Sequence, residues 1–377
     1  MIVCLTAFLI GILQDDIRTP VPEKPFECAH ARSYSFDASG KRMICVNQRS
    51  ELLKWNEKSE DPIVTTLEKK ANASVFDRTP MSAILVNDGT EIILFYHDSR
   101  VQVWNFDTGL KIKDLENEAL GLGYARLSPN GKLVGCLSRG SDGKSNSIRF
   151  WNTRDWSTAE SIDSTERIND FCFTSDSTKV LACVGHPTDQ KNLGFTGILA
   201  FDLESMREVE RVDFGEGFPI RIAVSADSRW VATGGGDAVP VGPNSRRLSG
   251  HLRVFDWQNK KFLKELYTLE SDYVRCLQFS PDSRFLFAGA QALDAANRSF
   301  AGQVRAFRTK DWDSEWAVDI GLGNPHELVV SPNGKDILAP DYNSLKILDA
   351  KSGTLRGTKL TFKFFPEDQS KVHHKGG

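Results

Sequence analysis

One short phrase recurs seven times along this chain: a small residue, Pro or Asp, Asn or Asp, Gly or Ser, Lys or Arg, then an apolar run. The copies centre on Gly40, Gly89, Gly131, Ser177, Ser228, Ser283 and Gly334. Successive centres lie 49, 42, 46, 51, 55 and 51 residues apart. A unit of that length cannot bury an apolar face alone and must stack on its neighbours. The repeat therefore decides the architecture ahead of any local pattern.

The second copy shows what one unit builds. SAILVND alternates apolar and polar residues, as a half-buried strand does, and NDGT turns the chain. EIILFY is a short apolar run suited to a strand covered on both faces, and HDSR turns again. VQVWNF is a third strand, DTG a turn, and LKIKDLE the outermost strand. Four short strands joined by tight turns make one blade, so the expected fold is all-β: a seven-bladed β-propeller with four antiparallel strands per blade. The third strands each end near a large residue: Trp55, Trp104, Trp151, Phe201, Phe255, Phe307 or Leu348. One large side chain at one fixed place per blade is read as filler between neighbouring sheets rather than as a ligand-stacking set. The Asx residues that follow most of them (Asn56, Asn105, Asn152, Asp202, Asp256 and Asp349) are read as caps of the next turn. So are the pairs Asp155–Trp156, Asp256–Trp257 and Asp311–Trp312, as turn plus packing.

The D-x-x-V-x-V-W-N run from Asp98 to Asn105 resembles the end of a WD repeat, and so does the SPDSR…VRAFR layout from Ser280 to Arg308. The resemblance extends over about residues 30–360 and is to a degenerate WD-repeat (WD40-like or YVTN-like) propeller. The Gly-His pair of WD repeats is missing, and only Asp98 matches the family's Asp between second and third strands. Related bacterial propellers, lactonase-like ones among them, share the same turn. The resemblance implies a protein that holds other proteins.

The chain of 377 residues carries a net charge of −3, with no basic excess to mark a nucleic-acid surface. None of the seven cysteines forms a C-x-x-C pair. Cys45, Cys136, Cys172, Cys183 and Cys276 fall in apolar runs and read as small buried hydrophobes. The first thirteen residues, MIVCLTAFLIGIL, are too short to span a bilayer comfortably and match the apolar core of a secretory signal. The bland alternative is an apolar N-terminal strand that docks on the last repeat. Segment 1–14 is thus expected to be signal or apolar leader, 15–365 a single propeller domain, and 366–377 a disordered polar tail. Export to a periplasm or outside the cell is favoured over a cytoplasmic location.

The repeat is broken informatively. The connection between second and third strands is short in copies one, two and seven. It is long in four consecutive copies: Ser138–Ser147, Gly185–Thr196, Gly234–Gly250 and Gly289–Gly302. All four emerge on one face, where insertions often mark the binding side. The longest, GGGDAVPVGPNSRRLSG, reads as a flexible loop with a basic tip. Across the four, Arg139, Lys144, Lys191, Arg246, Arg247 and Arg298 oppose Asp142, Asp189, Asp237 and Asp294, a mildly positive balance that suits an acidic partner. Arg139, Lys144, Lys191, Asp237, Arg246, Arg247 and Arg298 are the candidate binding residues.

No G-x-S-x-G, H-E-x-x-H, Walker or dinucleotide fingerprint appears. His186, Asp189, Asp237 and Asp294 lie in adjacent loops, but without a ligand spacing they read as solvated residues. The channel-facing starts of the first strands read Ser33, Ser82, Tyr124, Asn169, Ile220, Val274 and His326, which is not a metal cage. The expectation is a monomeric, non-catalytic protein–protein interaction platform with protein partners, no cofactor, no nucleic acid and no membrane span. The alternative is a lactonase-like hydrolase using a divalent metal at the channel mouth.

Overall fold

A computed structural model describes residues 31–361 apart from 48–49, 57–61, 68–78, 116–119, 140–145, 187–193, 216, 243–244, 271–272, 295–298, 323–324, 326 and 341–343. The expected leader and the polar tail lie outside the described residues. Every sheet has four strands taken consecutively from the chain, which gives seven antiparallel blades. Blades 1 to 7 occupy 31–66, 80–115, 120–164, 168–213, 219–270, 273–322 and 329–361. Blade 7 completes itself with Leu355–Thr361 as its outer strand.

The turn phrase performs the same task in each blade. All seven centres have left-handed backbone, with φ of 70° at Gly40, 78° at Gly89, 70° at Gly131, 56° at Ser177, 54° at Ser228, 58° at Ser283 and 69° at Gly334. In blades 3 to 7 the Ser or Thr that opens the phrase closes the turn through its hydroxyl, which accepts an N–H five residues on, and in blade 1 the Asp37 carboxylate does so. Leu133 to Ser128, Trp230 to Ser225 and Phe285 to Ser280 each span 2.9 Å. Serine is tolerated at three strained centres because its hydroxyl is used there. Ser177, Ser228 and Ser283 accept the N–H groups of Asn130, Ser175 and Asp227 from the preceding blade.

The core lies between blades. The large residue of each third strand is buried against the blade before it: Trp151 meets Phe95 with ring centroids 5.5 Å apart, and Trp55 of blade 1 packs with Leu338 and Leu345 of blade 7. That last contact closes the ring. The gap-filling reading of these residues therefore holds, as does the turn reading of the Asx positions. Asn105, Asp202 and Asp349, for example, accept the backbone N–H three residues on, at 2.8 Å each. Trp156, Trp257 and Trp312 are buried as expected, and the five described cysteines are free and buried.

The inner strand of each blade is a sheet edge facing the channel, so some of its N–H groups lack ladder partners. Side chains of the preceding blade supply them. Ser33 and Ser35 accept the N–H groups of Ala83 and Leu85 at 3.2 and 3.1 Å. Asp170 serves Ile222 and Gln278 serves Val330, both at 3.2 Å. These polar staples point successive inner strands at one lumen.

Candidate functional site

Two regions gather chemistry: the face carrying the second-to-third-strand connections, and the channel beneath it. On that face the long connections of blades 5 and 6 are not loops. The second strand of blade 5 runs Trp230–Gly242 and its third Ser245–Asp256, paired from Trp230↔Asp256 out to Gly242↔Ser245. In blade 6, Phe285–Asp294 pairs with Ser299–Arg308 as far as Asp294↔Ser299. The glycines and prolines that suggested a flexible loop are accommodated in a ribbon. Outer strands Lys261–Glu270 and Ser314–Leu322 lengthen beside it, which gives the extra ladder hydrogen bonds that hold it out.

The predicted binding residues divide accordingly. Arg139 ends the second strand of blade 3, opposite Asn146. Asp237, Arg246 and Arg247 occupy ladder positions in the blade 5 ribbon, opposite Ser249, Pro240 and Val239. Lys144, Lys191 and Arg298 lie outside the described residues, as does Asp189. Among the described residues, no three His, Cys, Asp or Glu side chains cluster in a way that could hold a metal ion. Of His186, Asp189, Asp237 and Asp294, the last two fall at ladder positions in the blade 5 and blade 6 ribbons, and His186 precedes the undescribed stretch that holds Asp189. Burial and then the positive charge of Arg167 lower the pKa of His186 from the ordinary value.

The channel holds residues that counting along the strands misplaces. In five blades the inner strand has a one-residue irregularity at its start: pairing skips Arg32, Met81, Asn169, Ile220 and Arg275. Counted back seven residues from each turn centre, the positions equivalent to Ser33, Ser82 and Tyr124 are Asp170, Arg221, Cys276 and Glu327, not Asn169, Ile220, Val274 and His326. Three of the four move by one residue and one by two, which turns a bland list into a largely charged one. A signal existed in the sequence, since each of these seven residues stands seven before its phrase centre.

Around the lumen, Asp170 is fully buried and receives the Arg126 guanidinium Nη2 at 2.9 and 3.0 Å. Arg221 of blade 5 reaches past blade 4 to the Tyr124 hydroxyl of blade 3 at 2.9 Å, lies over that ring at 4.5 Å, and donates to the Ile220 carbonyl. Arg275, the bulged residue of blade 6, donates to Gln291 at 3.2 Å and lies over Tyr273 at 4.5 Å. Arg126 keeps 36% of its side-chain surface accessible and Tyr124 39% of its surface, although both lie on the inner strand. The lumen beside them is open.

Electrostatics follow from enclosure. Burial pulls the Arg275 guanidinium below the ordinary arginine range, and the nearby charge of Arg221 pulls the same way. Burial acts against Arg221 also, but Tyr124 and Asp170 outweigh it and raise its pKa. Burial pushes the Glu327 carboxyl up to about 8, against the opposing pull of the Tyr34 N–H, Arg126 and Arg221. The site thus joins three guanidinium groups to one committed carboxylate and one carboxyl that holds its proton near neutrality.

A family model, that of the WD domain, G-beta repeat, matches residues 263–295. The match straddles two blades, covering the outer strand of blade 5 and the first two strands of blade 6. Among solved structures, Kuenenia stuttgartiensis hydrazine synthase is similar over 88% of this chain and 80% of that chain, at a TM-score of 0.55 and 10% identity. At that identity the likeness is one of fold. No curated protein matches the chain by sequence. A WD-type repeat match within a closed seven-bladed ring defines the general class by fold: a seven-bladed β-propeller carrying a WD-like repeat.

Proposed function

We propose that this propeller is a non-catalytic interaction platform that engages an acidic protein partner through the face carrying the second-to-third-strand connections of blades 3–6. One observation carries the reading. Two adjacent blades, 5 and 6, prolong the same pair of strands beyond the sheet body on the same face. Strand ribbons present backbone edges and side chains to a partner at little ordering cost. The basic excess of these connections, with Arg139, Lys144, Lys191, Arg246, Arg247 and Arg298, supports an acidic surface as the complement.

The test is paired capture with the intact protein and a variant in which Asp237 and Ser249, which face each other across the ribbon, are joined by an Asn-Gly turn in place of Ala238–Leu248. The expected result is loss of partners whose capture by the intact chain weakens with salt, with an unchanged unfolding temperature. An identical partner set in both samples overturns the assignment of this face.

A further inference from the structure

We propose that the central channel binds one small oxyanion, a carboxylate or phosphoryl group, between Arg221 and Arg275, beside Tyr124 and within reach of Arg126.

The charge census points to a ligand. Among the described residues, Asp170 is engaged by Arg126, while Arg221 and Arg275 make no hydrogen bond or ion pair with a carboxylate and spend their donors on Ile220, Tyr124 and Gln291, Asp170 and Glu327 acting on Arg221 only through space. The Nε atoms of Arg126 and Arg275 are buried without a hydrogen-bond partner. A buried N–H donor left unused is costly, and more so in a guanidinium crowded by other cations. An oxyanion answers both deficits. The guanidinium fork matches carboxylate and phosphate oxygens, and charge-assisted hydrogen bonds strengthen where water is scarce.

Geometry places it. Arg221 spans the lumen from blade 5 to blade 3 and so floors the site from one side. Arg275 enters from blade 6 because the inner-strand bulge sets it off the ladder. The accessible surfaces of Arg126 and Tyr124 show that a ligand reaches this depth.

The experiment uses the full chain in a chloride buffer of fixed ionic strength, titrated with sodium phosphate in one arm and sodium citrate in the other. Calorimetric titration and thermal unfolding are the readouts. The expected result is saturable binding of one anion per chain and a rise in unfolding temperature of about 2 °C or more. Whichever anion saturates at the lower concentration identifies the group, phosphoryl or carboxylate. Arg275→Gln and Arg221→Gln are expected to weaken binding about ten- to a hundredfold. In chloride alone Arg275→Gln should unfold no lower than the parent, since it relieves repulsion, so loss of folding does not mimic loss of binding. Absence of saturable binding in both arms, or equal binding by both variants, overturns the proposal. Deleting the blade 5 ribbon should leave anion binding intact, which separates this site from the partner face.

Discussion

The carboxylate of Glu327 accepts the backbone N–H of Tyr34 at 3.2 Å, joining residues 293 positions apart in the chain. This is the seam of the ring, and it repeats between blades 7 and 1 the staple that Ser33 makes to Ala83 and Asp170 to Ile222. Among the described residues no strand is exchanged here, and polar stapling and the packing of Trp55 on Leu338 and Leu345 join the first and last blades.

That seam is pH-sensitive in a direction fixed by its burial. The Glu327 carboxyl titrates at about 8 when folded, against an ordinary 4.5. The folded chain therefore holds the extra proton between those values, and the contribution to stability is full below 4.5 and lost as pH rises through 8. Glu327→Gln keeps the acceptor for Tyr34 and removes the titration. Urea midpoints measured at pH 5 and pH 8.5 should fall more steeply for the parent than for the variant; parallel behaviour would show that Glu327 does not titrate in this window.

His251 acts with the opposite sign. It is buried in the third strand of blade 5, and burial, then the charge of Arg253, lower its pKa from 6.5 to about 3. Its Nε2 has no hydrogen-bond partner and stands near Gly235. The unfolded chain binds the proton first, so stability present above pH 6.5 declines as pH falls toward 3. His251→Gln should unfold at a lower pH than the parent in an acid titration followed by tryptophan fluorescence. Coincident acid midpoints would assign acid lability elsewhere.

Much of this fold was legible because its units repeat. The phrase centred on Gly40 and its six counterparts marks a left-handed turn, and that requirement restricts the sequence enough to be seen. The third-strand tryptophans were equally legible, since one gap recurs in each blade. The channel was not. Asp170, Arg221 and Glu327 differ in chemistry from blade to blade, so no shared residue type marks the channel-side position, and it is found only by its fixed distance from the turn phrase. The blade 5 ribbon was misjudged because its glycines and prolines suggest a loop, whereas the two strands continue in register to Gly242 and the outer strand Lys261–Glu270 flanks their base as far as Ser249. The candidate binding residues on that face have no repeating counterpart, so periodicity carried no information about them.

Serine at a left-handed centre permits a discriminating pair of substitutions. Ser228 has φ of 54°, and its hydroxyl accepts the Ser175 N–H at 2.9 Å while bonding the Ser175 hydroxyl at 2.6 Å. Ser228→Ala keeps the strain and loses both bonds, an expected loss of about 1–2 kcal/mol. Ser228→Gly loses the same bonds but relieves about 1 kcal/mol of backbone strain, so it should lie closer to the parent. Equilibrium denaturation of the three proteins checks the order; an alanine variant as stable as the parent would show that the inter-blade hydroxyl contributes nothing.

Gly235 links the ribbon to the channel. Its backbone lies opposite Pro219, and a Cβ added there would stand 2.1 Å from the Phe218 carbonyl oxygen and 3.2 Å from the His251 imidazole. A carbonyl in the chain entering the inner strand cannot rotate away as a flexible side chain can, so Gly235→Ala must push Phe218 and Pro219 aside. Arg221 follows two residues later on that strand, and its reach to Tyr124 depends on where the strand begins. The variant should lose about 2 kcal/mol or more of stability, in the range of overpacked interiors. It should also expose the amides of Gly236–Gly242 to faster hydrogen exchange, because the ribbon grows from this point. Gly131→Ala provides the contrast: nothing lies within 4 Å of its added Cβ, so its cost is backbone strain at φ of 70° alone. Hydrogen exchange that leaves the ribbon unchanged in Gly235→Ala would separate the ribbon from the inner strand and show that the two are held independently.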